Sequence, residues 1–251
     1  MEQRRSRPTI IIMNILVLIF NTVLYQPILN GLILLYEYIP GHDFGIAIIV
    51  LTLIIRLLLY PSSIRGVRSQ KALADLQPKI KEIQEKYKDN KGEQTKILME
   101  LYKKEKINPF SGCLPLLLQL PILIAMYQVF LRGLQPEALS QSLYSFVPHP
   151  GIISFSFLGL INLSESNIFL AFLAGLFQFY QLKISTASKE KENIKGKATD
   201  FSKTMQRQML YFFPIFTVFI IWKLGSVIGL YWIVSILFSI GEQYIVRRKH
   251  A

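Results

Sequence analysis

The sequence predicts an all-α polytopic membrane protein, on three observations. Of its 251 residues 51% are hydrophobic and the mean hydropathy is +0.36. The apolar residues come in long runs, such as Ile10 to Phe20 and Leu114 to Met126, and a run of about 20 crosses a bilayer as a helix. The runs show no period-2 alternation, which argues against a closed barrel, the other structure that satisfies every backbone group in lipid.

The chain opens with a basic stretch, Arg4, Arg5 and Arg7, before an apolar run from Thr9 to Tyr25. That is the layout of a signal sequence, but Asn21-Thr22-Val23-Leu24-Tyr25 is a poor cleavage site, so residues 1–25 are expected to form an uncleaved N-terminal hydrophobic anchor. An interfacial placement of this run is the rival reading. Pro27 reads as a break, and Ile28, Leu32, Leu35 and Ile39 recur at helical spacing with Asn30 and Glu37 among them. Residues 26–43 are therefore expected to be a short helix along the membrane surface, closed by the turn Pro40-Gly41-His42-Asp43.

Five core spans follow in residues 44–246: Phe44 to Ser62, Cys113 to Leu131, Ile168 to Ile184, Met209 to Trp222 and Ser226 to Ile245. Residues 247–251 form a basic tail. With the N-terminus inside, 25 of the 28 Lys and Arg fall on the cytoplasmic side, in the N-terminal stretch, residues 65–106, residues 183–207 and the tail. Arg132 and Lys223 lie outside, and Arg56 lies within a span. This positive-inside bias accounts for the net charge of +12 and the pI near 9.7 without a nucleic-acid partner. It also puts the C-terminus in the cytoplasm.

Residues 65–106 read as an antiparallel helical hairpin. Ile80, Ile83 and Tyr87 share one helical face, and Ile97, Leu98, Leu101 and Tyr102 share another, with Asp89-Asn90-Lys91-Gly92 as the turn and Pro78 in a first turn. Such a hairpin is either a solvated, salt-bridged strut or a docking or gating element; periodicity does not separate the two.

Arg56 lies about 9 Å inside the cytoplasmic border at the helical rise. A charge at that depth either snorkels to the headgroups or faces a wet cavity or a partner. No carboxylate lies within the first four core spans, and Glu242 sits near the border end of the fifth. Thr52, Gln119, Gln128, Gln178, Gln181 and Tyr231 are the polar residues of the spans that can line such a space. The single cysteine, Cys113, reads as a small buried apolar residue. No phosphate-binding loop is present, and His42, His149 and His250 lack metal-ligand spacing, so no catalytic, cofactor or metal residue is expected.

The ordered motifs carry a resemblance. Gly45 to Arg56 with Tyr60-Pro61, then Leu76-Gln77-Pro78-Lys79-Ile80 and Glu100-Leu101-Tyr102-Lys103, then Asn108-Pro109-Phe110-Ser111-Gly112-Cys113-Leu114-Pro115 on to Gln119-Leu120-Pro121-Ile122, and finally Gly229-Leu230-Tyr231-Trp232-Ile233-Val234-Ser235 with Glu242-Gln243-Tyr244 resemble the YidC/Oxa/Alb insertases. The likeness covers about residues 27–246. Two stretches depart from the pattern: Lys223-Leu224-Gly225 stands where Pro-Ala-Gly is usual, and Phe157 to Ser164 lacks the usual Trp and Asp.

The resemblance implies a five-helix insertase core around a hydrophilic groove, open to the cytoplasm and the lipid and closed on the far side. It places Arg56 in that groove, with Thr52, Gln119, Tyr231 and Trp232 near its wall. The implied activity moves hydrophobic segments of nascent proteins into the bilayer and assists their folding, without a cofactor and not as an enzyme. The implied partners are nascent membrane proteins and the bilayer, then the ribosome and the Sec translocon, with the protein expected to be a monomer. With no transit-peptide pattern before the first run, the expected membrane is the plasma (inner) membrane of a prokaryote. A small-solute transporter or channel and a membrane chaperone without insertion activity stay open as alternatives.

Overall fold

The computed structural model describes residues 6–108, 114–186 and 197–248, with side-chain surroundings for 13–108, 119–185, 208 and 210–248. Arg4 and Arg5, the stretch from Pro109 to Cys113 and the end of the tail lie outside these residues. The chain is helical almost throughout the described part, with one two-stranded hairpin. Among the described residues four helical stretches are long and apolar enough to cross a membrane: Met13–Tyr38, Phe44–Asp75, Ile168–Ser185 and Ser226–Arg248. This is an all-α, multi-pass membrane protein.

Helix α1 (Ser6–Phe20) and helix α2 (Gln26–Tyr38) join through a π-helical turn, Asn21–Tyr25, so Pro27 does not interrupt the helical path. The physical reason is local. Proline has no N–H to give and its ring crowds the carbonyl four residues back. The wider π turn, in which the Gln26 N–H reaches the Asn21 carbonyl, relaxes that crowding. One face of α2 is buried, including Leu29, Leu32, Ile33 and Tyr36. Asn30 is buried with them and fully engaged. Its Nδ2 donates to the Gln26 and Ser142 carbonyls at 2.8 and 2.9 Å, and its Oδ1 accepts from the Tyr144 N–H at 2.7 Å.

Helix α3 (Phe44–Asp75) starts on an Asp43 cap, whose Oδ1 accepts from the Ile46 N–H at 2.8 Å. It runs through Pro61 and past the expected end of the span at Ser62, so Arg65, Arg68 and Lys71 stand on a helical extension of the span. The hairpin proper is α4 (Gln77–Lys86) and α5 (Lys91–Lys104). Pro78 sits in the first turn of α4, as its fixed φ favours. Asn90 caps α5, which draws Lys91 and Gly92, expected in the turn, into the helix. Lys79 clasps Glu105 at 2.7 Å across the open end of the hairpin. The Lys79 ammonium holds the Glu105 carboxyl below its usual range, so the clasp persists through neutral pH and is lost in acid.

Helix α6 (Leu114–Gln128) continues into a π turn, Val129–Gly133, and is followed by the short α7 (Pro136–Ser142). The link onward forms β1 (Ser156–Phe157) and β2 (Ile161–Asn162), antiparallel with Phe157 opposite Ile161. Between them Leu158 and Gly159 both take positive φ, +54° and +68°, and the Leu160 N–H bonds the Phe157 carbonyl at 3.0 Å. A leucine in the left-handed region costs about 1–2 kcal/mol. The Leu158 N–H is held by Asp43 Oδ2 at 2.5 Å, so the cap of α3 also pins this turn.

Helices α8 (Ile168–Thr186), α9 (Lys197–Leu224) and α10 (Ser226–Arg248) complete the bundle. The expected fourth span lies within α9, whose apolar part is Leu210–Leu224. Gly225, at φ +99°, makes the tight turn into α10, the most buried of those four stretches. Close packing rests on glycines: a Cβ on Gly175 would collide with Val218 and lie 3.1 Å from the Pro214 carbonyl, and one on Gly229 would meet Ile221 at 2.8 Å. Small residues let membrane helices approach, since lipid offers no hydrophobic drive between them. Gly175→Ala is therefore expected to lower stability by about 1–3 kcal/mol through overpacking between α8 and α9. Gly241→Ala, where a Cβ meets nothing within 4 Å, is expected to raise it by roughly 0.5–1 kcal/mol through helix propensity. Thermal unfolding in one detergent compares the two signs.

Candidate functional site

Four helices of the bundle present polar side chains to one cavity of about 180 Å³. Arg56 comes from α3, Gln119 from α6, and Gln178, Gln181 and Ser185 from one face of α8. From α10 come Trp232, Ser235, Ser239 and Gln243, spaced so that they share a helix face. The surfaces of α3 and α8 turned away from it carry exposed Leu57, Leu58, Phe169 and Phe172, as lipid-facing helices do.

Two hydrogen-bonded chains run along the cavity wall. In the first, Arg56 Nη2 donates to Gln119 Oε1 at 2.8 Å, and Gln119 Nε2 donates to the Tyr231 hydroxyl at 2.5 Å. Three helices thus meet through one amide. In the second, Trp232 Nε1 donates to Gln178 Oε1 at 3.1 Å, Gln178 Nε2 to Gln181 Oε1 at 3.1 Å, and Gln181 Nε2 to Ser239 Oγ at 2.7 Å. The buried Oε1 of Gln243 has no hydrogen-bond partner among the described residues. An amide oxygen left so in a polar cavity is a place for water or a polar ligand group.

Arg56 makes no ion pair among the described residues. Glu242, expected near the border, is 2% exposed. Its Oε2 accepts from Ser63 Oγ at 2.7 Å, and Ser63 lies two helical turns beyond Arg56 on α3. Among the described residues the guanidinium thus meets no carboxylate directly and is bonded to an amide at the edge of an open polar space.

The sequence-predicted residues fall into three groups. Arg56, Gln119 and Trp232 line the cavity together, as do Gln178 and Gln181. Tyr231 is buried behind the wall and bears on it through Gln119. Thr52 and Gln128 do not line it. Thr52 is fully buried and its hydroxyl donates to the Ile48 carbonyl at 2.6 Å, the back-bonding habit of threonine in a helix, which leaves it nothing to offer the cavity. Ser235, Ser239 and Gln243 were missed by residue-by-residue reading. Their signal was periodic: with Trp232 they recur every three or four residues along one face of α10. Cys113 lies outside the described residues.

Comparison with known proteins gives a consistent result. Residues 34–251 match the family described as the 60Kd inner membrane protein. The chain is 35% identical over 208 residues to the membrane protein insertase YidC of Francisella tularensis subsp. novicida (strain U112), an alignment covering 83% of this chain and 33% of the relative. The same figures hold for the protein of that name from Francisella tularensis subsp. tularensis (strain SCHU S4 / Schu 4). The chain thus spans about a third of the length of the curated relatives it matches.

The amide bridge between α3, α6 and α10 has a measurable energy. A double-mutant cycle on Gln119→Leu and Tyr231→Phe, read by unfolding in detergent, is expected to give a coupling of about 0.6 kcal/mol and at most about 1.7, the range of interhelical hydrogen bonds within membranes. A coupling indistinguishable from zero would show that the bridge contributes nothing to holding the helices together.

Proposed function

The chain belongs to the 60Kd inner membrane protein family, and on that premise we propose that it is a membrane protein insertase. It takes hydrophobic segments of nascent proteins from the cytoplasm into the bilayer and assists their folding. The observation that carries this reading is a guanidinium with no ion-pair partner among the described residues, set at a polar cavity inside an apolar helical bundle.

The mechanism follows from solvation. A client segment with polar or acidic flanking residues meets its largest barrier where those residues leave water. A wet cavity partway through the bundle shortens the apolar path. Arg56, bonded to Gln119 and to no carboxylate among the described residues, keeps donors for an acidic residue of the client, and that pairing offsets part of its desolvation. Gln119, Gln178, Gln181 and Gln243 supply both donors and acceptors to polar groups in transit. The apolar segment then leaves sideways into lipid, driven by its own burial. No nucleotide is required for any of these steps.

The cytoplasmic placement of the hairpin, of residues 183–207 and of the C-terminus is part of the proposal, supported by the 25 of 28 basic residues those segments and the N-terminal stretch collect. A hairpin and loop so placed face the ribosome or the Sec translocon that delivers the client. The membrane proposed is the plasma membrane of a prokaryote.

Insertion in reconstituted vesicles tests the role of Arg56. A pairing of about 1–2 kcal/mol corresponds to a factor of roughly 5–30. Arg56→Ala is therefore expected to reduce insertion of a client with an acidic translocated tail by about that factor, with much less effect on the same client carrying a neutral tail. Arg56→Lys is expected to fall between wild type and Arg56→Ala. Equal insertion of the acidic client by wild type and Arg56→Ala would overturn the electrostatic step.

A further inference from the structure

The link between α7 and α8 exposes apolar side chains where a loop in water would carry charge. From residue 138 to 164 there is no Lys, Arg, Asp or Glu. The segment's inner side is packed, with Leu139, Val147 and Leu163 buried. Its outer side presents Phe146 at 71% exposure, Ile152 at 97%, Leu158 at 58% and Leu160 at 85%. The opposite end of α3 leads into a hairpin region, residues 65–106, with 12 Lys and Arg, so the two ends of the bundle meet different surroundings.

Hydrogen bonds fix the level of this link along the bundle. Asp43, the cap of α3, holds the Leu158 N–H. The Tyr36 hydroxyl near the end of α2 accepts from the Ser154 N–H at 3.0 Å. The Glu165 carbonyl accepts from both the backbone N–H and the hydroxyl of Ser226 at the start of α10. Asn167 caps α8. The link is therefore level with the ends of the spans, where a membrane border passes. Trp222 and Lys223, the lysine over the indole at 5.3 Å, lie at the same end, an aromatic–cation pair suited to the headgroup layer.

The hairpin tip adds a second, independent observation. Leu158 and Gly159 have the φ signs of a type I′ turn, whose first central position favours Asn, Asp or Gly. Leucine there is strained, and its side chain recovers little by burial within this chain, being more than half exposed. A strained residue that exposes its apolar side chain points to burial elsewhere.

We infer that Ile152 and the hairpin tip, Leu158 and Leu160, are seated in the headgroup–acyl boundary of the bilayer and anchor this end of the bundle to the lipid surface. The occupant is lipid and not a second protein, because residues 138–164 carry no Lys, Arg, Asp or Glu of their own and lead, past Glu165 alone, into the exposed apolar start of α8 at Ile168 and Phe169. The inference is independent of the insertase reading.

Spin labelling of the full chain tests it. In a Cys113→Ser background, nitroxides at Ile152→Cys and Leu160→Cys are reconstituted in vesicles of phosphatidylethanolamine and phosphatidylglycerol. Collisions with molecular oxygen and with a water-soluble nickel chelate are then compared with Phe172→Cys as the lipid reference and Lys96→Cys as the water reference. The expected result is a shift of the oxygen-to-nickel ratio at both positions to that of Phe172→Cys. A ratio like that of Lys96→Cys at either position overturns the inference. So does shielding from both reagents, which would mean that protein covers the patch.

Discussion

A guanidinium placed inside a membrane helix must be solvated by something other than hydrocarbon, and the helices around Arg56 are arranged by that requirement. The charge sits on the first core span, and the groups that answer it come from elsewhere: an amide from α6, which in turn leans on a hydroxyl from α10. Removing a charge from water costs several kcal/mol unless polar contacts replace the lost hydration. Here the replacement is an amide and an open polar space. The same space collects the second chain of bonds, through Trp232, Gln178, Gln181 and Ser239, so that α8 and α10 are joined by polar contacts on the side where they would otherwise meet through a gap.

Holding a polar space open in an apolar bundle requires close packing around it. Gly175 and Gly229 allow α8, α9 and α10 to approach until a methyl group would not fit. Asn30 ties α2 to the chain after α7 with all its bonds satisfied, so its burial brings no unpaired group. Asp43 both caps α3 and fixes the hairpin turn beyond β1. The Asn30 and Asp43 contacts lie toward the end of the bundle away from the basic hairpin. The polar cavity, by contrast, extends toward Gln70 and Ser185, on the side of α3 and α8 that leads to the basic segments.

That the apolar runs of residues 44–246 form helices was legible from the sequence, because an apolar run of membrane length has few alternatives: its backbone must bond within itself. The hairpin was legible from periodicity, Pro78 and the Asn90 turn. What failed was punctuation. Pro27 read as a break, yet the helix passes it because a π turn accommodates it, and the span expected to end at Ser62 runs on within one helix to Asp75. Thr52 read as a wall residue from its spacing to Arg56; its hydroxyl instead bonds its own helix.

The sequence by itself determined that the chain crosses a membrane several times, which ends collect its basic residues, and that one arginine lies where no carboxylate of the first four core spans can meet it. These follow from composition and spacing along one dimension. Only the tertiary structure decided which polar residues share a space with that arginine. Gln119 and Tyr231 are separated by 112 residues, and Gln178 and Trp232 by 54. No periodicity within a helix encodes which of its faces will turn toward another; that is settled when the helices pack.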